Sequence, residues 1–203
     1  MRTLVFATHN RGKLAELVEL AAPLGFEVLP ASGFPGLEPP EEDAATFAGN
    51  AAKKARHTAR FTGLPALADD SGLEVDFLGG APGVHSARFA GPGARDADNN
   101  RKLLALLADV PAGQRGARFR CAVALADPAG PLGETVHVTT GACEGEILTA
   151  PRGEGGFGYD PLFFVASEGL TFAELPSTAK HRLSHRGHAM REMIAFLSTY
   201  ARE

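Results

Sequence analysis

The chain has 203 residues, of which 44% are hydrophobic, and it carries a formal net charge of −4 at pH 7. A chain of this length can bury an ample core, so it needs neither disulfides nor structural metals, and a large multidomain assembly is excluded. The negative charge argues against a protein whose whole surface binds nucleic acid or an anionic membrane. We therefore expect one domain over residues 1–203.

The cysteines and the N-terminal residues favour a reduced cytoplasmic protein. Cys121 and Cys143 are too few and too far apart for a disulfide framework or a zinc site. The N-terminus lacks the charged start, apolar core and small-residue cleavage site of a secretory signal. No apolar run approaches membrane-spanning length, so we expect no membrane segment.

The predicted elements alternate between strands and helices. Runs of apolar residues indicate the strands, and apolar residues at helical spacing indicate the helices. In chain order we predict a strand at 2–8, a helix from Asn10, a strand at 27–30, a helix at 46–61, strands at 66–69 and 73–77, a helix at 98–108, strands at 117–126 and 134–142, a strand at Phe163–Phe164 and a helix at 186–200. This order predicts an α/β fold in one piece.

The segment Thr-His-Asn-Arg-Gly-Lys, residues 8–13, lies where the first predicted strand ends and the first helix begins. It brings a hydroxyl, an amide and an ammonium close to backbone N–H groups and the positive end of the helix dipole, which suits phosphate. It is not a Walker A loop, because the GK[ST] ending is missing. Alternatively, Asn10 only caps the helix and Lys13 is solvated.

Two adjacent carboxylates, Asp69 and Asp70, follow an apolar strand. Such a pair suffers mutual repulsion and loss of hydration, which a cation or a proton-transfer role compensates. Magnesium, held by one or two carboxylates plus substrate phosphates, suits the pair. The acidic loop at 38–43 is a candidate for the same site only if it faces this pair. Otherwise it is typical of a solvated surface. A simple Asp-Asp turn is the alternative.

Lys54 is predicted on the core-facing side of the helix at 46–61, whereas its neighbour Lys53 is predicted on the opposite side. An inward-facing lysine needs an anionic partner, either a protein carboxylate or a phosphate. The core-facing side comprises Phe47, Asn50, Ala51, Lys54, Thr58 and Phe61.

The glycine-rich segment at 153–158 matches the dinucleotide fingerprint formally, but a strand follows it where that motif requires a helix. We instead predict a flexible loop that presents Phe157 for stacking on a base and Asp160 as a hydrogen-bond acceptor. In the alternative, a hairpin, Phe157 packs inward.

The basic run at 180–188 is predicted to lie in a loop ahead of the last helix, where Ser184 suits the helix cap. Such a run is either a nucleic-acid contact or a charged surface.

Taken together, these motifs resemble the inosine triphosphate pyrophosphatase family, and the resemblance covers nearly the whole chain in order. The matching segments are residues 8–13, 41–42, 68–72, 79–83, 86–89, 155–161 and 184–187, and the matching single positions are Thr46, Phe47, Asn50 and Lys54. The resemblance implies a long mixed sheet flanked by helices in two lobes, with the nucleotide cleft between them, and a homodimer. It also implies cleavage of ITP, dITP and XTP to the monophosphate and pyrophosphate with Mg²⁺, which removes these nucleotides from the pool.

The resemblance further assigns site residues. Asp70 would activate the attacking water, supported by Asp69, and the third catalytic residue, Lys13, would hold the phosphates. Asp70 with Glu41 would hold the metal, Glu42 being the alternative to Glu41. The substrate-binding residues would be Thr8, His9, Asn10, Arg11, Gly12, Lys13, Lys54, Ser71, Phe157, Gly158, Tyr159, Asp160, Lys180, His185 and Arg186. Ala48 and Gly49 depart from family members with larger residues there, which weakens the helix start.

Phosphoryl transfer needs charge neutralisation and positioning more than a covalent nucleophile, which agrees with lysines, a metal and a water-orienting carboxylate. Donors near His185 and Arg186 would favour a 6-oxo purine, because the amino group of adenine would leave them unpaired. Two other hypotheses are a purine nucleotide sensor without turnover and a nucleic-acid module using residues 180–191. The Asp69–Asp70 pair argues against the sensor, and the negative charge against the nucleic-acid module.

Overall fold

The computed structural model describes residues 2–8, 14, 17, 18 and 21–200, and these form a seven-stranded mixed sheet with flanking helices. The sheet order is β2-β1-β3-β4-β5-β6-β7. The strands are β1 (Arg2–Phe6), β2 (Phe26–Pro30), β3 (Ala66–Val75), β4 (Gly116–Ala126), β5 (Val136–Ile147), β6 (Phe163–Val165) and β7 (Leu170–Thr171). The predicted α/β class and mixed sheet are confirmed.

Four α-helices have defined bounds: α1 (Phe47–Thr62), α2 (Asp96–Leu106), α3 (Ser177–Leu183) and α4 (His185–Tyr200). Residues 14, 17, 18 and 21 are also helical, as the apolar spacing predicts. Short 3₁₀ turns lie at Ala22–Leu24, Ala31–Gly33, Asp76–Leu78 and Gly83–Arg88. Within the described ranges, no helix has the length and apolar character needed to cross a bilayer.

The strand β1 is parallel to both of its neighbours, β2 and β3. Its last residue, Phe6, lies opposite Leu67 of β3, so the rest of β3 runs on beyond the end of β1. Asp69 and Asp70 lie in this extension. The register therefore places the acidic pair just beyond the carboxyl end of β1. Ligands of open parallel sheets bind at the carboxyl ends of strands.

The chain divides into two compact units, one of residues 1–70, 121–140 and 188–203, and the other of residues 71–120 and 141–187. Each unit has its own apolar core. The first core includes Leu4, Phe6, Leu67, Val123 and Met193, and the second includes Leu73, Leu103, Phe119, Phe163 and Phe172. Cys121 and Cys143 are both buried as free thiols.

The structure corrects three predictions. The two strand pieces at 66–69 and 73–77 are one continuous strand, because Asp70, Ser71 and Gly72 keep extended conformations and Leu73 N–H donates to Ser86 Oγ at 2.9 Å. The strand then ends at Val75, and Phe77 lies in a 3₁₀ turn. Phe61, predicted on the core side of its helix, is half-exposed.

The third correction concerns the basic run at 180–188, which is helical and not a loop. Lys180 belongs to α3, and α4 begins at His185. Ser184 separates the two helices in an extended conformation, and its Oγ accepts from Gly187 N–H at 3.0 Å. This bond is the predicted helix cap, which satisfies one of the free N–H groups at the start of α4.

Arg115, only 3% exposed, links the end of α2 to β5. Its guanidinium donates to the carbonyl groups of Leu107 at 2.6 Å, Val110 at 3.3 Å, Ile147 at 2.7 Å and Leu148 at 3.1 Å. Arg115→Met removes the guanidinium as a donor to these carbonyl groups, of which only that of Leu107 keeps another donor, the Val110 N–H at 3.1 Å, among the turn and loop backbone hydrogen bonds of the described residues. We therefore expect this substitution to lower the free energy of unfolding by about 3 kcal/mol in urea titrations.

Arg101→Met is the matched control for Arg115→Met. The Arg101 side chain is 73% exposed and pairs only with Asp98 among the ion pairs of the described residues. Exposed pairs of this kind contribute little, so the control should change stability by less than about 1 kcal/mol. Equal effects of the two substitutions would contradict the structural role of Arg115.

Candidate active site

The helix α1 positions the lysine that the sequence singles out. Thr46 precedes the helix in an extended conformation, and its Oγ1 accepts from Gly49 N–H at 3.1 Å. This cap fixes where the helix begins, so Asn50 and Lys54, four residues apart, lie on the same face. Asn50 is fully buried, and the Lys54 side chain is 13% exposed.

Lys54 joins the acidic loop to the acidic pair of β3. Its Nζ donates to Glu42 Oε1 at 2.7 Å and to Asp70 Oδ1 at 3.3 Å. The predicted anionic partner of the inward-facing lysine is therefore a pair of carboxylates. We call Glu42, Asn50, Lys54, Asp69 and Asp70 the lysine–carboxylate cluster.

Asn50 orients Asp70 within this cluster. The Asn50 Nδ2 donates to Asp70 Oδ2 at 3.1 Å, and its Oδ1 accepts from Ala44 N–H at 2.9 Å. One buried amide thus fixes both the carboxylate and the backbone of the acidic loop. Lys53 and His57 hold the loop further, through Asp43 at 2.7 Å and the Glu38 carbonyl at 2.8 Å.

Gly49 packs tightly against the same loop. A Cβ built at this position would lie 2.8 Å from Ala44 Cβ and 3.2 Å from Thr46 Oγ1. The first distance is shorter than real Cβ contacts, and an alanine side chain cannot rotate away. The small residue at the helix start therefore allows the acidic loop to approach α1 closely.

The electrostatics of the cluster are coupled. Burial raises the pKa of Asp70, and the positive charge of Lys54 and the hydrogen bond from Asn50 offset only part of that effect. Burial acts to lower the pKa of Lys54, but the charges of Asp70 and Glu42 outweigh it, so this pKa is raised. The lysine therefore stays charged and keeps two carboxylates together that would otherwise repel.

A pocket of about 260 Å³ lies beside the cluster. Thr8, two residues after the end of β1, lines this pocket together with Asp69, Glu42 and Lys54. Asp69 is buried at 3% exposure. The pocket thus combines a hydroxyl, an ammonium and carboxylates at the carboxyl end of β1, the combination expected for a phosphate group with its counterion. His9, Asn10, Arg11, Gly12 and Lys13 lie outside the described residues.

The donor set of the cluster fits magnesium. Carboxylate oxygens are the hard ligands that Mg²⁺ prefers, and this ion commonly takes one or two of them plus substrate phosphates. In the described part of the chain, no three His, Cys, Asp or Glu side chains group closely enough to hold a metal alone. Asp70 supplies one carboxylate, while the acidic loop offers Glu42, bound to Lys54, and the exposed Glu41.

The second group of predicted site residues surrounds residues 156–160, which we call the aromatic loop. Phe157 is 53% exposed, as predicted, so the inward-packed alternative is wrong. Asp160 is only 4% exposed and is not presented to solvent. Its Oδ2 accepts from Phe157 N–H at 2.8 Å and from Lys180 Nζ at 2.5 Å, because the loop folds around this carboxylate.

Ser71, Tyr159, His185 and Arg186 lie in the same compact unit as the aromatic loop, that of residues 71–120 and 141–187. Arg186 Nη2 donates to Ser71 Oγ at 3.1 Å, and His185 stacks on Phe119 with ring centroids 4.8 Å apart. Tyr159 is buried in the core, and its hydroxyl donates to the Ser86 carbonyl at 2.9 Å. Burial raises the pKa of this hydroxyl, which therefore remains protonated.

Two residues with contacts to the aromatic loop escaped the sequence reasoning. Asp96 and Asn100 of α2 contact Gly158, which lies 62 and 58 residues further along the chain. No spacing pattern connects residues so far apart. The predicted helix at 98–108 includes Asn100 but begins after Asp96.

Comparisons with known proteins identify the family to which the chain belongs. Residues 4–196 match the model of the Ham1 family. The dITP/XTP pyrophosphatase of Desulforamulus reducens is 54% identical over 96% of this chain and 95% of its own length. The dITP/XTP pyrophosphatase of Methylococcus capsulatus is also 54% identical, over 93% of this chain and 92% of its own.

A solved structure gives the same result in three dimensions. A HAM1 protein from Coxiella burnetii superposes with a TM-score of 0.91 and 43% sequence identity, covering 98% of this chain and 100% of that one. The resemblance inferred from the sequence motifs is thereby confirmed. The chain belongs to the Ham1 family.

Proposed function

We propose that this protein is a nucleoside-triphosphate diphosphatase that hydrolyses ITP, dITP and XTP to the monophosphate and pyrophosphate. The observation that carries the proposal is the pairing of Glu42 and Asp70 through Lys54, beside the buried Asp69 and the pocket. The names of the relatives, dITP/XTP pyrophosphatase, supply the substrate class. The reaction would remove non-standard purines from the nucleotide pool.

In the proposed reaction a water molecule attacks the α-phosphorus. A bond forms between the water oxygen and this phosphorus, and the bond from the phosphorus to the oxygen bridging to the β-phosphorus breaks. Asp70 accepts the proton of the water, a role for which its raised pKa suits it. The electron pair of the broken bond leaves with pyrophosphate. Lys54 offers an ammonium to the negative charge of the phosphates, with Thr8 as a further contact in the pocket.

Asp70 and Glu41 would hold Mg²⁺, which when bound would neutralise phosphate charge. Glu41 is proposed because it is exposed, whereas Glu42 already pairs with Lys54. Comparing the Mg²⁺ concentration for half-maximal activity in Glu41→Gln and Glu42→Gln distinguishes these two carboxylates.

The aromatic loop would bind the base. The exposed face of Phe157 suits stacking on a purine ring, and Lys180, His185 and Arg186 provide donors for the 6-oxo group or the phosphates. An adenine would offer an amino group to those donors and leave them unpaired. The cytoplasmic location and the homodimer stay predictions from the composition and the resemblance.

We expect the purified protein to release pyrophosphate from ITP with Mg²⁺ at a kcat/KM at least about a hundredfold above that for dATP, because adenine leaves the donors for the 6-oxo group unpaired. The third substrate is dGTP, which shares the 6-oxo group and adds a 2-amino group. A pyrophosphate-coupled assay measures all three substrates, and EDTA should abolish the signal. Equal rates on the three nucleotides would contradict the proposal. Tight ITP binding without pyrophosphate release would favour the nucleotide sensor.

A further inference from the structure

The aromatic loop is held by the first turns of α2 as well as by its own residues. Asp96 Oδ2 accepts from Gly158 N–H at 2.7 Å, and Asn100 Nδ2 donates to the Gly158 carbonyl at 2.9 Å. Both polar groups of one peptide residue, the neighbour of Phe157, are therefore bound by side chains four residues apart on one helix face. We call this pair the Gly158 clamp.

The loop is closed from the other side by Asp160 and Lys180. Asp160 accepts from the N–H of Phe157, and Lys180 Nζ lies 5.4 Å from the centre of the Phe157 ring, within the range of a cation–π contact. Gly156 and Gly158 both have positive φ angles, of 74° and 62°, and a Cβ at Gly156 would collide with Asp160 Oδ2. The loop therefore adopts one tight conformation that larger residues would not permit.

The Asn100 side chain contains one atom that destabilises the fold. Its Oδ1 is buried and has no hydrogen-bond partner in the described part of the chain. An unsatisfied buried acceptor is destabilising, so an apolar residue would serve the fold better at this position. The nitrogen of the same amide donates to the carbonyl of Gly158, the residue that follows Phe157.

We propose that Asp96 and Asn100 are positioning residues for the base: the Gly158 clamp holds the aromatic loop so that Phe157 presents its face to the purine. This inference rests on the proposed function, because it assigns these two residues to the base contact of that site. Their described hydrogen bonds to this loop both go to the backbone of Gly158.

The chain contains no tryptophan, so Phe157→Trp creates a single fluorescent reporter at the stacking position. In this background we expect Asp96→Ala and Asn100→Leu to lower the fluorescence anisotropy of the reporter without nucleotide, because the loop loses its clamp. Quenching by IMP should then require about tenfold more nucleotide. Asp96→Asn keeps an acceptor oxygen and should restore most of the affinity.

Two matched measurements separate positioning from a general loss of structure. Asp98→Ala alters the same first turn of α2, but Asp98 contacts Arg95 and Arg101 and not the loop, so this variant should retain the IMP affinity of the reporter protein. The affinity for inorganic tripolyphosphate, which has no base, should change less than about twofold in all variants. Thermal unfolding identifies any variant that fails to fold.

Unchanged anisotropy and unchanged IMP affinity in Asp96→Ala and Asn100→Leu would overturn the inference. Equal losses of IMP and tripolyphosphate affinity would also overturn it, because the effect would then be structural. If the parent reporter hydrolyses ITP but IMP does not quench it, the base-positioning role fails while the proposed function stands. If the unmodified protein, with Phe157 in place, does not hydrolyse ITP, the proposed function itself fails.

Discussion

Replacing Asp70 with asparagine is expected to reduce kcat/KM for ITP by at least about a thousandfold. The amide keeps the shape of the side chain but loses the proton acceptor and one of the two carboxylates proposed for the metal. Among the described residues, it also leaves Glu42 as the one remaining carboxylate in an ion pair with Lys54. Initial rates of pyrophosphate release across a range of Mg²⁺ concentrations measure the loss.

Asp43→Asn is the control for Asp70→Asn. Asp43 lies in the acidic loop, but its side chain is 58% exposed and pairs with Lys53. An exposed pair of this kind contributes little, so the control should retain activity within about twofold. Full activity of the Asp70→Asn enzyme would refute the proposed general base. A loss of the same size in both variants would indicate that the lower activity results from a disturbed acidic loop and not from the missing Asp70 carboxylate.

The second large effect is expected for Lys54→Met, which should lower kcat/KM by about a hundredfold. Without the ammonium, Glu42 and Asp70 repel each other in a half-buried site, and the phosphates lose a cation. We also expect a lower melting temperature, because two partly buried carboxylates lose their shared counterion. Steady-state kinetics and thermal unfolding measure the two effects separately.

The neighbouring residue provides a control for Lys54→Met in the same turn of the helix. The Lys53 side chain is 40% exposed and pairs with the exposed Asp43, so Lys53→Met should change activity by less than about twofold. Lys54→Arg retains the charge but replaces a compact ammonium with a planar fork, so we expect it to recover only part of the activity. Identical kinetics for Lys53→Met and Lys54→Met would contradict the role of Lys54.

The helix α1 and the acidic pair were predictable because their signals are local. Thr46 caps the helix, and the helical period then places Lys54 on the inner face, where an anionic partner is required. The adjacent carboxylates Asp69 and Asp70 after an apolar run were equally clear. The sequence pattern did not specify which acidic-loop residue contacts Lys54, because Glu41 and Glu42 differ only by one position in an irregular segment.

The features that escaped prediction depend on contacts between distant parts of the chain. β3 runs through Ser71 and Gly72 because Ser86 supplies an acceptor for the next backbone N–H, thirteen residues further on. Asp160 turns inward because Lys180 and the backbone of Phe157 meet its carboxylate. The basic run at 180–188 was expected in a loop because its charges obscured the apolar contacts of Ala179 and Leu183 with the core.

The close approach of Gly49 to Ala44 bears on how this protein should be engineered. Consensus design replaces an unusual residue with the one most frequent among relatives, and it usually raises stability. A larger residue at position 49 would here strike Ala44 Cβ and push away the segment whose N–H binds Asn50. Positions 44 and 49 should therefore covary among relatives, and a stabilising library should exchange them only together.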